Sequence, residues 1–490
     1  MRRYHTLAAM AFISVGLVAC NAPPESTETA PPAEAAGAAV ADWVLTNGQI
    51  LTVDADFSVA EAIAIQDERV LAVGSNEEIM ALAGADTERT DLAGQTVVPG
   101  LIDNHMHFVR ATRDWYRHVR WDGINSRTQA LQMVQNRAAA LPAGEWVVVI
   151  GGWNFSQFHD NGEVFSLAEL DSIARTVPVY IQQGYRRGFA NSAALAAAGI
   201  SAATVYEGGG RLVRDDDGNP TGEFVGGAAM AFITQHMPDV SPDVWDRSLQ
   251  QTITSLNRMG LTTVYDVGGN SVTPGHYDAV GRAHANDNLS MRVFYTINDR
   301  NNDLGSAEKI IAALETHSPD NEGLEFAQFG YGESVYRPMR AQPFEVSQED
   351  LDKFYAIVVA AAENGWQLNE HSSRDVKIRA MLDVFERVNE THPITDLRWT
   401  IAHNNTTSPE SVQRAMDLGM MFAVHSSRRN VSAEQAQSGG EDGLHQPPIS
   451  TIDELGGIWG LGSDATTVAS PNPMHTLGWA VSGRSGSGQV

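Results

Sequence analysis

The sequence predicts an α/β protein built on a (β/α)₈ barrel, and three observations predict it. Eight short apolar, β-branched runs recur between residues 97 and 465, helix-patterned stretches separate them, and ionisable residues gather where the runs end. The runs span 97–107 ("VVPGLIDNHMH"), 261–267, 292–298, 324–331, 366–372, 397–404, 420–425 and 458–465 ("IWGLGSDA"). Such a barrel collects the C-terminal ends of its strands around one axis, which is where its active sites form.

The elements follow in order from the N-terminus. Arg2 and Arg3 precede an apolar stretch, "LAAMAFISVGLVA", that is short for a membrane span and stops at Cys20, the only cysteine. The tetrapeptide "LVAC" resembles the lipobox of bacterial lipoproteins. That resemblance implies a signal peptide over 1–20, an acylated Cys20 and a periplasmic protein whose membrane contact is its N-terminal lipid. Asn21 in the next position implies the outer membrane. Residues 21–41, rich in Pro, Ala and Glu, read as a flexible tether. Beyond Cys20 there is no thiol, so a bound metal must be held by nitrogen and oxygen.

Residues 42–96 alternate apolar and polar side chains around Asn-Gly and Asp-Glu turn signals, which predicts short antiparallel strands in a small β layer. The barrel follows over 97–490. The gap between its first and second runs is far beyond a normal crossover, so residues 110–245 are expected to form an insert. Its strand candidates are "EWVVVIGGW" and "TVPVYIQQGY", and Trp115, Trp121 and Trp153 read as core. The glycines of "GEFVGGAAM" lack a G-x-G-x-x-G frame, so no nucleotide loop is read there. The chain stops one helical stretch after the eighth run, from which a C-terminally truncated protein is expected.

Composition narrows the function. Hydrophobic residues make up 43% and charged residues 19% of the chain, enough to build a large core. A net charge of −27 opposes nucleic-acid binding, because a phosphate backbone needs a basic surface. A small-molecule substrate is expected instead.

At the ends of the runs stand His105 and His107, then Glu333, His371, His403 and Asp464. Residues i and i+2 share one face of a strand, so His105 and His107 can hold one ion together. An isolated pair of this kind is usually incidental; ionisable residues at five strand ends make a site.

Together, "VVPGLIDNHMH", "NEHS", "TIAHN" and "GLGSDA" resemble the metal-dependent amidohydrolase superfamily. "GWQLNEHSSRD", "NSAALAAAGI" and "GSDATTVASPNPMHTLGWAV" resemble its branch related to N-substituted formamide deformylases. The resemblance covers roughly residues 42–490. It implies a (β/α)₈ barrel with a β-sandwich assembled from both chain ends, of which the C-terminal strands and the last barrel helix are missing here.

The resemblance also implies that His105, His107, His371, His403 and Asp464 bind metal and that Asp464 shuttles a proton during hydrolysis of a non-peptide C–N bond. His371, His403 or the metal would polarise the carbonyl. A divalent ion is implied, Zn²⁺ by the imidazole set, as one or two ions; an open zinc position lowers the pKa of water towards about 7. Hydrolysis of esters, ureas or cyclic amides, or a catalytically silent solute-binding lipoprotein, are the alternatives.

Two departures from the family pattern stand out. Where many members carry a strand-four lysine, this chain has Gln328. Either Glu333 supplies a bridging carboxylate, or the site holds one ion and Glu333 is a solvated loop residue. Near Arg186, relatives tend to have a histidine; here Tyr185, Arg186 and Arg187 either meet an anionic substrate or form an exposed basic turn. His425, ending the seventh run, is a substrate-contact candidate or a plain strand-end residue. His159, His236 and His475 read as loop or helix residues.

Overall fold

The alternation of buried and exposed residues along the early chain produces seven short strands. The computed structural model describes residues 39–269, 272–297, 306–320, 323–340, 345–430 and 445–488. Cys20, the signal stretch and most of the tether lie outside them. The chain divides into a unit ending at Pro99 and a unit from Gly100 onward.

The first unit contains β1 (Ala41–Thr46), β2 (Gln49–Leu51), β3 (Val59–Ala60), β4 (Ala62–Gln66), β5 (Arg69–Gly74), β6 (Ala83–Asp91) and β7 (Thr96–Val97). They form two sheets, ordered β5-β4-β1-β6 and β3-β2-β7. Asp67 and Glu68 both take left-handed backbone, φ 48° and 62°, and turn β4 back onto β5 as an antiparallel hairpin. The Asn-Gly signal acts differently from the prediction. Asn47 is left-handed as well, but β1 and β2 on either side of it join different sheets. The expectation of antiparallel strands throughout is corrected at two places, because β6 pairs parallel with β1 and β7 parallel with β2. The helix Asn76–Met80 lies between β5 and β6 and supplies the crossover that a parallel return requires, while its Ile79 joins Val44, Ala62 and Ala64 in the core.

The second unit holds the predicted barrel. Its strands are β8 (Leu101–Met106), β14 (Leu261–Asp266), β15 (Arg292–Ile297), β16 (Phe326–Glu333), β17 (Gln367–Ser372), β18 (Thr400–His403), β19 (Met421–His425) and β20 (Trp459–Gly462). All seven neighbouring pairs are parallel and run in sequence order. Between β20 and β8 the ladder is replaced by a seam. Asp103 accepts the Ser463 N–H at 2.9 Å and the Ser463 hydroxyl at 2.5 Å, and Asp464 N–H donates to the His105 carbonyl at 2.8 Å. Gly462 permits this approach: a Cβ there would lie 2.7 Å from His105 Cβ.

Helices cover the strands by the usual spacing of apolar residues. Pro242–Asn257 buries Leu249, Ile253 and Leu256, and Gln348–Glu363 buries Phe354, Ile357, Val358 and Ala361. The latter starts at Ser347, whose hydroxyl accepts the Asp350 N–H. Among the described residues, no helix is long and apolar enough to cross a membrane.

The long gap after the first barrel strand is a subdomain with its own sheet. It comprises β9 (Val147–Ile150), β10 (Val179–Gln183), β11 (Arg187–Ala190), β12 (Arg211–Arg214) and β13 (Pro220–Val225), ordered β12-β13-β11-β10-β9. Trp121 and Trp153 are buried in its core with Phe158 and Phe165, as read from the sequence. Its inner edge meets the barrel. Gly151 has φ 50°, and a Cβ there would collide with the Thr467 carbonyl; nearby, Arg120 donates to the Ile150 carbonyl at 2.7 Å and the Thr466 carbonyl at 3.1 Å. The insert thus grips the loop that carries Asp464.

Candidate metal centre

Strand periodicity decides which side chains meet. On β8, Asp103 and His105 are buried and Asn104 between them less so, and His107 continues the same alternation just past the strand. The carbonyl of Gly268 takes a hydrogen bond from His107 Nδ1 at 2.7 Å, leaving Nε2 to face Asp464 Oδ1 at 3.1 Å. Asp266, ending β14, accepts the N–H groups of Val109 at 2.7 Å and Gly268 at 2.9 Å, and so fixes both the turn after His107 and that carbonyl. Later strands deliver His371, His403 and His425 from β17, β18 and β19, and Asp464 follows β20. His403 and Asp464 hold left-handed backbone, with φ 75° and 56°, a costly conformation for non-glycine residues that concentrates at functional sites.

Glu333 lies at the middle of this set. The fourth barrel strand runs two residues further than its apolar pattern suggests, so Glu333 is the last residue of β16 and is 2% exposed. The reading of Glu333 as a solvated loop carboxylate is therefore corrected. Its Oε2 stands 2.9 Å from His371 Nδ1, 3.5 Å from His105 Nε2 and 3.8 Å from His403 Nε2, and its Oε1 3.9 Å from His107 Nε2. Gln328 sits five positions earlier within the strand and takes the Asp320 N–H on its backbone carbonyl.

Two groups with no residue in common have the reach to hold an ion: His105, His107 and Asp464, and Glu333, His371 and His403. The donor set also shows a deficit that a cation would fill. Both ring nitrogens of His105 and Nε2 of His403 are buried without a hydrogen-bond partner. Buried polar groups are rarely left so, because the loss of water goes uncompensated. The residues present fit a divalent metal held by nitrogen and oxygen.

Electrostatics run the same way. Burial pushes the Glu333 carboxyl up, but the charge of His371, its hydrogen bond and the close approach of His105 and His403 outweigh it and hold it well below the usual range. Asp464 is likewise held down, burial being outweighed by the His107 hydrogen bond and the charges of His403, His107 and His105. Burial lowers His371 to about 4, helped by the neighbouring His403. Two carboxylates held in the ionised form, beside a His371 imidazole that burial keeps from protonating, suit a bound metal.

The remaining candidates separate. Tyr185 lines the same cavity, of about 230 Å³, as the five ligand candidates His107, Glu333, His371, His403 and Asp464. Arg186 is exposed and does not line it, and Arg187 pairs with Glu223 at 3.4 Å. His425 is not placed as a substrate contact. It is 1% exposed and packs its ring 3.9 Å from that of His105 and 4.1 Å from that of His403, centroid to centroid, behind the cavity. There it forms a third group with ligand reach, with His105 and His403. Sequence reasoning missed Arg340, whose Nη1 lies 3.3 Å from Glu333 Oε1, and Arg110, which lines the cavity three residues past His107. The "HFVR" spacing, one helical turn after the second histidine, was the available signal for Arg110; nothing local marks Arg340.

Comparisons with known proteins agree with this architecture. A model of the amidohydrolase family matches residues 88–490. The chain is 27% identical over 466 residues to Protein LONG AFTER FAR-RED 3 of Arabidopsis thaliana, covering 90% of this chain and 78% of that one. It is 27% identical over 398 residues to the N-substituted formamide deformylase of Arthrobacter pascens, covering 77% and 72%. An uncharacterized metal-dependent hydrolase from Pyrococcus furiosus shares the fold, with a TM-score of 0.62 at 18% identity over 91% of this chain and 89% of that one. With the family model spanning the whole barrel, the chain belongs to the amidohydrolase family.

Proposed function

We propose that this protein is a metal-dependent hydrolase of a non-peptide C–N bond, an amide or N-substituted formamide, working through His105, His107, His371, His403, Glu333 and Asp464. The observation that carries the proposal is the position of Glu333, a buried carboxylate within 4 Å of all four histidines. Its two oxygens reach towards both ligand groups, the arrangement a bridging ligand needs. The formamide deformylase among the relatives supports the choice of bond.

A divalent ion bound there, with zinc the choice the imidazoles favour, would supply an activated water and a Lewis acid for the carbonyl. The protein's own part is positional. Asp464, ionised and 3.1 Å from His107, is the base that accepts the proton of the attacking water and returns it to the leaving nitrogen. The left-handed turn at Asp464, the seam through Ser463 and the Arg120 clamp hold that carboxylate in place. Tyr185 and Arg340 line the cavity and orient the substrate.

Elemental analysis of the purified full-length protein, together with a screen of formamides, amides and esters, tests the proposal. One or two equivalents of divalent metal and hydrolysis that a chelator abolishes are expected. A protein without stoichiometric metal, or one active on esters alone, would overturn it.

A further inference from the structure

The cavity at the metal centre does not end there. Arg110 and Tyr185 also line a second cavity of about 320 Å³, together with Arg113, Gln182, Thr234 and His276 among others. Among the described residues its lining holds no carboxylate, in a chain whose net charge is −27.

The cations of this cavity are available. Arg110 Nη2 is buried without a hydrogen-bond partner. The carboxylate that attracts Arg110, Asp266, has its oxygens committed to the N–H groups of Val109 and Gly268. Arg113 forms one ion pair, with the fully exposed Asp239 at 3.5 Å, which solvent screens, and its charge is also felt by the neighbouring Asp114. His276 Nδ1 accepts the Thr273 N–H at 3.0 Å, which leaves its Nε2 as an N–H donor. A partly buried guanidinium with an unused N–H, a second guanidinium loosely held and an imidazole donor form a receptor for a planar anion.

We infer that the substrate carries a carboxylate that Arg110, Arg113 and His276 bind while its scissile C–N bond sits among the histidines. The inference rests on the hydrolase reading above and names its substrate class: N-acyl compounds whose leaving amine or acyl part bears an acid. Hydrolysis adds the hydroxyl of water to the acyl carbon and a proton to the leaving nitrogen, and the remote carboxylate is unchanged.

The test uses N-formylglycine, N-formyl-β-alanine and N-formyl-4-aminobutanoate, each beside its neutral carboxamide, with N-butylformamide as an uncharged reference. At least one acid is expected to exceed its carboxamide tenfold or more in kcat/KM. The same preference is expected in calorimetric binding to the metal-free protein. Arg110→Gln should erase the preference, and Arg113→Gln, at a half-exposed site that folding tolerates, should reduce it several-fold. Turnover of N-butylformamide without charge preference in any pair would overturn this inference and leave the hydrolase reading standing. Arg110-dependent binding of the acids with no turnover of any probe would do the reverse. Neither binding nor turnover would remove both.

Discussion

Glu333 Oε2 lies 2.9 Å from Nδ1 of His371, on the neighbouring strand, and the same oxygen is 3.5 Å from Nε2 of His105. One carboxylate therefore spans ligand candidates from opposite parts of the barrel. Replacing it by glutamine keeps the shape and removes the charge that two cations would share. Glu333→Gln is expected to bind at most one metal equivalent where the parent binds two, and to lose on the order of 100-fold or more in kcat/KM. Elemental analysis and steady-state kinetics on the same samples check this; an unchanged metal count would remove Glu333 from the bridging position.

Asp464 should behave differently. Asp464→Asn retains an oxygen for the metal but no basic group, so metal content should stay near the parent value. Turnover should fall by about 10²–10⁴-fold, the usual contribution of a positioned proton-transfer group. A variant that keeps its activity would deny Asp464 the proton.

Asp266 supplies a pH signature. Burial holds its carboxyl up to about 6, against ~3.9 in an unfolded chain. The folded state therefore keeps the proton longer than the unfolded state. This contribution to stability is full below pH ~4 and is lost as pH rises through about 6, by roughly 3 kcal/mol at 1.36 kcal/mol per pH unit. Urea unfolding of the metal-free protein at intervals from pH 4 to 7 should show that loss relative to Asp266→Asn, which cannot titrate. Parallel profiles for the two proteins would disprove it.

Trp153 tests the insert. It is 2% exposed and packs against Trp121 and Phe155 at ring-centroid distances of 5.0 and 5.1 Å. Trp153→Ala should cost about 3–5 kcal/mol, as large-to-small changes in aromatic cores do. Because the insert grips the loop carrying Asp464 through Arg120, activity should fall at temperatures below the global unfolding transition. Coincident loss of activity and structure would show that the insert has no stability of its own.

The barrel was legible because parallel strands buried on both faces leave continuous apolar runs, and each of the eight runs contains its strand within a few residues. His105, His107, His371, His403 and Asp464 were legible because strand ends in such a barrel converge. Glu333 was legible only as one of two alternatives, since "YGES" carries no apolar signal and gives no sign that the strand continues through it. His425 looked like a pocket residue from its strand-end position, yet it tucks behind two ligand candidates, which only the registry of β18 with β19 decides. In the first unit, turn signals located the chain reversals but could not tell which strand would pair across them.

The seam between Asp103 and Ser463 joins the first barrel strand to the last, across 360 residues of chain. It also sets a timetable. His105 and His107 are synthesised early, but they gain Asp464 as a neighbour only when β20 docks beside β8. The histidines of the first barrel strand therefore wait for the eighth to be made and docked before the candidate ligand set is complete.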